Sequence, residues 1–151
     1  MQEDKIIEIK KIKKVCRDKT ILDIEEFAVL KNKFNFIIGG NGSGKTSLLN
    51  ILSLIDQDYQ GKLYYKGQKI NKDEQNLKLR RKFSLIWQDP YLYRGNVFYN
   101  IALPLKLRDF AQNSINKKVK AVAARLEIGN LLEQSAHTLS GGEKQKVSIA
   151  R

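Results

Sequence analysis

Residues 39–46 read GGNGSGKT and fit the pattern GxxxxGK[ST]. Gly39, Gly40, Gly42 and Gly44 carry no side chains to keep an anion away from the backbone, so the loop can wrap tightly and turn its N–H groups onto a phosphate. Lys45 would neutralise outer phosphate oxygens, and the Thr46 hydroxyl, with Ser47 behind it, offers an oxygen to a phosphate-bound magnesium ion. Phe34, Phe36, Ile37 and Ile38 precede the loop, and Leu48, Leu49, Ile51 and Leu52 follow it, which predicts a strand, the loop and a helix in that order. Such a site needs a strand to aim the loop and a helix amino terminus to add partial positive charge. An ordinary glycine-rich surface loop accounts for neither the Lys45-Thr46 pair nor the apolar runs.

Residues 139–145 read LSGGEKQ. Ser140 and Glu143 stand three apart as a capping box, ahead of a helix bearing Val147, Ile149 and Ala150. Gly141 and Gly142 in its first turn leave backbone N–H groups open to an anion, although a capping box alone is a common structural feature. Between the two segments, residues 83–87 are apolar or β-prone and lead into Gln88, Asp89 and Pro90. Proline holds the residue before it out of helix, so a strand is expected to end in a loop with Gln88 at its exit.

The three segments, in this order, resemble the ATP-binding subunit of ABC transporters, and the resemblance extends over residues 6–151. It implies a P-loop NTPase of the ABC ATPase type that uses ATP and Mg2+. Gly39, Gly40, Asn41, Gly42, Ser43, Gly44, Lys45, Thr46 and Ser47 would hold the nucleotide. Thr46 and Gln88 would reach the metal, and Gln88 would also touch the attacking water as the catalytic glutamine. Ser140, Gly141, Gly142 and Glu143 would close on the γ-phosphate of ATP bound to a second ATP-binding subunit. The implied partners are that subunit, in a homo- or heterodimer, and membrane-spanning permease subunits sensed through the Gln88 loop, with no direct contact to nucleic acid or to the transported substrate. Such a chain would be cytoplasmic, peripheral at the inner face of the cell membrane. Residues 47–56 and 83–105 are most similar to prokaryotic importer ATPases, with the molybdate/tungstate group as the suggested branch. The alternatives are a soluble ABC protein acting on ribosomes or DNA, which a tandem second cassette or a long coiled-coil insertion would mark, and a non-hydrolysing nucleotide-binding remnant.

The chain departs from the family pattern in two places. No Tyr, Trp or Phe stands near Val15 or Cys16, where the family usually stacks an aromatic on adenine; base stacking of this kind contributes ~1–3 kcal/mol. No apolar run ending in Asp-Glu follows the 139–145 signature, and Asp56, Asp58 and Asp89 lack the preceding buried strand that would let them substitute. His137, in a polar linker, is read as structural, because the family's switch histidine lies after that missing run. The expectation is therefore a chain truncated just after the signature, binding nucleotide weakly and hydrolysing it slowly, since positioning and electrostatics do nearly all the work of phosphoryl transfer.

The elements that must position these residues follow from composition and patterning. A chain of 151 residues supports one domain, burying roughly 68–70% of its unfolded surface. With 42% hydrophobic and 29% charged residues it has the composition of a soluble globular chain, and no run approaches the ~20 apolar residues of a membrane span. The amino terminus lacks the apolar core and cleavage site of a secretory signal. Cys16, the single cysteine, excludes an internal disulfide, and no Cys/His cluster has metal-ligand spacing. The formal charge of +12 is spread over dispersed lysines without stacked aromatics, the pattern of a solvated basic surface rather than an RNA-binding face.

The expected fold class is α/β with an antiparallel edge sheet, a partial parallel core sheet and a helical subdomain, incomplete at the carboxyl end. It divides into an ATP-binding core over 1–95, the helical subdomain over 96–138, and the signature with the start of its helix over 139–151. The edge sheet takes residues 7–15, 20–24 and 27–30, and 61–70 reads as a hairpin about Lys66-Gly67. Residues 73–81 read as a helix, 97–107 as an apolar stretch interrupted by Pro104, and 114–127 as a helix with Ile115, Val119, Val122 and Leu126 on one stripe, capped by Asn113 or Ser114 and ended by Gly129. The resemblance also places parallel strands at 34–38 and 83–87 whose intervening neighbours lie outside these residues, leaving their edges unpaired. It makes Tyr91, Leu92, Tyr93, Val97, Phe98 and Tyr99 candidates for the permease groove.

Overall fold

A computed structural model describes residues 4–72 and 77–151. They form two compact units that divide between Leu85 and Ile86. In the first unit β1 (Lys5–Cys16) and β2 (Lys19–Leu30) pair antiparallel across the turn Arg17-Asp18, where φ values of 46° and 62° match the right-handed twist of the flanking strands. β2 joins into one strand the two pieces expected at 20–24 and 27–30. β3 (Gln60–Tyr65) pairs with the other edge of β1, and the expected hairpin at Lys66-Gly67 leads into β4 (Gln68–Lys69). The sheet order is β2-β1-β3-β4 and every pairing is antiparallel.

Ile7, Ile9 and Ile12 are all buried, although strict two-residue alternation would turn residue 12 outward. A bulge against β3 between Lys10 and Lys13, with Lys11 at φ 52°, adds the residue that returns Ile12 to the core. Gly61 lies against this bulge: a Cβ there would sit 2.2 Å from the Lys11 carbonyl oxygen. The helix α1 (Lys45–Leu52) covers the sheet with Leu48, Ile51 and Leu52, which join the isoleucines of β1, Leu22 and Leu63 in one core.

The α/β class and the antiparallel sheet are present; the parallel portion differs from expectation. Residues 34–38 and 83–87 carry no regular secondary structure, and among the described residues the antiparallel sheet is the sheet that forms. Phe34, Phe36 and Ile38 are 92%, 80% and 93% exposed. A central parallel strand takes its ladder from neighbours on both sides, and no described residue supplies one here. Of the helix expected over 73–81, residues 73–76 lie outside the described residues, and the rest forms the single turn α2 (Leu77–Arg80).

The second unit packs α3 (Val97–Lys106), α4 (Gln112–Arg125) and α5 (Gly141–Ala150) around Val97, Ile101, Ile115, Val119, Ala123 and Val147. Asn96 caps α3 by accepting the Tyr99 N–H at 2.8 Å. Pro104 does not interrupt this helix. It stands near the carboxyl end, where its missing N–H removes one ladder bond, while Ile101 and Ala102 anchor the preceding turn in the core. α4 starts earlier than expected: Ala111 is its N-cap, and the Ile115 N–H reaches the Ala111 carbonyl at 3.0 Å, so Asn113 and Ser114 lie inside the first turn. Its end is also shifted, because Glu127 at φ 57°, not Gly129, adopts the left-handed conformation after the helix. Gly129 opens a 3-10 turn, Gly129–Leu131, and His137 lies exposed in a second, Ala136–Thr138, that leads into α5.

Candidate nucleotide site

The loop 39–44 ends on Gly44, the N-cap of α1, at φ 86°. No side chain caps α1, so the first-turn N–H groups that a helix leaves unpaired have no side-chain acceptor. Gly44 is pressed against β2: a Cβ at this position would lie 2.6 Å from Leu22 Cδ2 and 2.8 Å from the Ile21 carbonyl oxygen. The strand behind the loop therefore fixes where the helix begins. Gly40 and Gly42 face open space on their side-chain side, with no atom within 4 Å of a Cβ built on either.

The Lys45 ammonium folds back over this loop, donating to the Gly39 carbonyl at 2.8 Å and the Gly40 carbonyl at 2.7 Å. The Ser43 N–H donates to the Gly40 carbonyl at 3.3 Å, closing the turn. Asn41, Ser43 and Thr46 are exposed and Ser47 is half-buried. A phosphate would give Lys45 anionic oxygens in place of two neutral carbonyls, and charge-assisted bonds of that kind are the stronger. The exposed Thr46 hydroxyl is a hard oxygen donor suited to magnesium. The described residues contain no cluster of three or more His, Cys, Asp or Glu that could hold a metal ion by themselves. Val15 and Cys16, at the end of β1 where no aromatic stands, are both exposed.

In the second unit α5 opens with both halves of the capping box formed. Ser140 N–H and Ser140 Oγ donate to Glu143 Oε2 at 2.8 and 2.7 Å, and the Glu143 N–H donates to Ser140 Oγ at 3.4 Å. The Ser140 hydroxyl, then its N–H, hold the Glu143 carboxyl below its ordinary value, with the Lys146 charge adding to the effect. Gly141 and Gly142 are exposed with open space around them. For Ser140 to donate to a phosphate, its hydroxyl must turn away from Glu143.

Gln88 is exposed in a segment without regular structure, between Trp87 and Pro90. What holds the far side of this loop was not singled out from the sequence. Asn100 is fully buried, the one buried polar residue among those described. Its Oδ1 accepts the Tyr93 N–H at 2.8 Å, and its Nδ2 donates to the Tyr93 and Asn96 carbonyls, each at 3.0 Å. The available signal was a lone amide side chain within the apolar run VFYNIALPL, which a core helix tolerates only with partners. The phosphate-loop residues fall in the first unit, and Gln88 and residues 139–143 in the second.

A glycine loop running into an uncapped helix, with its lysine folded over it, is the arrangement of the P-loop class. Residues 22–151 match the family described as ABC transporter. The chain is 39% identical over 145 residues to the tungstate uptake system ATP-binding protein TupC of Peptoclostridium acidaminophilum, covering 96% of this chain and 65% of that one. It is 37% identical over 147 residues to the molybdate/tungstate import ATP-binding protein WtpC of Pyrococcus horikoshii, covering 97% and 41%. The solved structure of cbiO1 from Clostridium perfringens, part of the ABC transporter complex cbiONQ, matches with a TM-score of 0.85 at 25% identity, over 98% of this chain and 61% of that one. The chain belongs to the ABC transporter ATP-binding family, and it spans 65% or less of the length of these relatives.

Proposed function

We propose that this chain binds MgATP through residues 39–47 and works as part of an ABC transporter ATP-binding subunit, coupling ATP binding and hydrolysis to import. The observation that carries the reading is the uncapped start of α1 with the Lys45 ammonium held over it by two replaceable carbonyl bonds. In this reading Thr46 would help hold a magnesium ion, which would supply positive charge to offset the phosphates. Lys45 leaves the Gly39 and Gly40 carbonyls for the outer phosphates. Gln88 orients water at the γ-phosphate, and Ser140, Gly141 and Gly142, with Glu143 holding the cap, meet the nucleotide of a second ATP-binding subunit. Residues 96–138 form the subdomain that faces a permease.

Among the described residues no helix is long and apolar enough to cross a membrane, so attachment at the inner face of the cell membrane would come through permease subunits. The similarity to TupC makes a tungstate-type oxyanion the first cargo to test. No apolar run ending in Asp-Glu occurs within these 151 residues, so a preparation of this chain should bind nucleotide weakly and turn it over slowly. The test is titration with MgATP by calorimetry, beside Lys45→Ala. Binding that weakens about tenfold or more in the variant supports the reading, as loss of a charge-assisted contact predicts. Equal affinity in the two proteins, or no binding to either, would end it.

A further inference from the structure

We propose that Arg151 is a positioning residue for the Gln88 loop, latching the carboxyl end of α5 onto residues 91–93; its functional meaning rests on the reading of Gln88 above. The guanidinium Nη1 donates to the Tyr91 carbonyl at 3.0 Å, and the same group lies 5.2 Å from the centroid of the Tyr93 ring. The Tyr91 and Tyr93 rings meet edge to face with centroids 5.6 Å apart, and Leu92 between them is buried in the core of the second unit. Asn100 fixes the Tyr93 backbone from α3. The three residues that follow Pro90 are thus gripped from two helices, and one grip comes from the helix that Ser140 caps.

The side chain must be arginine for this geometry. Its planar fork can hydrogen-bond a carbonyl and lie over a ring at once, whereas an ammonium is a point donor. α5 buries one side chain, Val147, and the Arg151 N–H continues the helix by donating to the Val147 carbonyl at 3.1 Å. The last turn of α5 and the exit of the Gln88 loop therefore share a fastening. A shift of α5 on engagement of its amino terminus would reach Tyr91 and Tyr93 through Arg151.

Trp87, the single tryptophan, immediately precedes Gln88 and is 45% exposed, which makes it a built-in reporter. The experiment compares the wild-type chain with Arg151→Ala and Arg151→Lys, without nucleotide, by amide hydrogen exchange and by acrylamide quenching of Trp87. Loss of one exposed cation–π contact and one hydrogen bond should speed exchange of the Tyr93 amide about three- to tenfold in Arg151→Ala and increase quenching of Trp87. Arg151→Lys should behave like Arg151→Ala, and exchange in α3 and α4 should stay at wild-type rates. Unchanged exchange and quenching in Arg151→Ala, full rescue by lysine, or a uniform loss of protection across the second unit would each overturn the latch. Because no nucleotide is present, the result stands apart from the MgATP titration: either can fail alone.

Discussion

Alanine at Gly44 tests whether the phosphate loop is held by its own conformation or by the strand behind it. Two penalties meet at this position. An L-residue at φ 86° costs about 1–2 kcal/mol, because its Cβ crowds the following carbonyl. A Cβ 2.6 Å from Leu22 Cδ2 and 2.8 Å from the Ile21 carbonyl also lies well inside van der Waals contact, and Leu22 is buried in the core while Ile21 belongs to a paired strand. Neither can retreat freely, so overpacking adds about 1–3 kcal/mol, for a total of about 2–5 kcal/mol. Gly42→Ala shares the positive φ, 79°, but meets no atom within 4 Å, and should cost only about 1–2 kcal/mol. Gly40→Ala has neither problem and should stay within about 0.5 kcal/mol of wild type. The three variants would be compared by urea titration followed through NMR signals of Ile9, Ile12 and Leu63, which report the first unit, and by MgATP affinity. A Gly44→Ala protein as stable as Gly40→Ala would refute the claim that β2 fixes the start of α1.

Ser140→Ala should lower the stability of the second unit by about 1 kcal/mol through loss of the cap, read from thermal melts followed by Trp87. Glu143 adds a pH dependence: its folded carboxyl titrates below the ordinary value of 4.5, so its stabilisation is present above that pH and disappears as pH falls through the lowered folded value. Glu143→Gln should flatten that acid limb, and an unchanged limb would place the acid sensitivity elsewhere. Asn100→Ala leaves the Tyr93 N–H and carbonyl without their side-chain partners and opens a cavity, which should cost about 2–4 kcal/mol in urea unfolding of the second unit. Replacing Phe34, Phe36 and Ile38 together by threonine should reduce self-association in light scattering while leaving the melting temperature nearly unchanged, since these side chains are exposed in the isolated chain.

Where one stretch of residues contains both halves of an interaction, sequence was enough to read it. The Ser140-Glu143 box closes within four residues, and Lys66-Gly67 reverses the chain by its own φ preferences. Asn113 and Ser114 are good caps by type, yet α4 starts at Gln112 with Ala111 as its N-cap, and it buries Ile115, Val119 and Ala123. The Lys10/Lys13 bulge was not legible from β1 alone; its trace was the three-residue step from Ile9 to Ile12 together with a glycine at position 61, far along the chain. The amide of Asn100 within an apolar run signals that it needs partners but not that they lie at Tyr93, and nothing around Arg151 announces its contact with Tyr91.

This separation bears on how the site forms. Residues 34–38, expected as the strand that aims the phosphate loop, enter no ladder, yet the loop closes and α1 starts at Lys45. Its shape comes from the Gly44 contact with β2 and from the Lys45 bonds to Gly39 and Gly40, all within the first unit. Under the proposed function the first of these constraints would persist when a phosphate binds, and the second would have to be broken, because the same ammonium cannot serve both carbonyls and the anion at full strength. Binding would then exchange an internal restraint for an external one, and the ordering of residues 39–43 would pass from the protein to the ligand. A parallel strand at 34–38, wherever its neighbours come from, would hold Gly39 independently of Lys45 and leave the lysine free for phosphate. In the proposed reading, the affinity of the loop would then depend on whether residues 34–38 are paired, although they contribute no atom to the site.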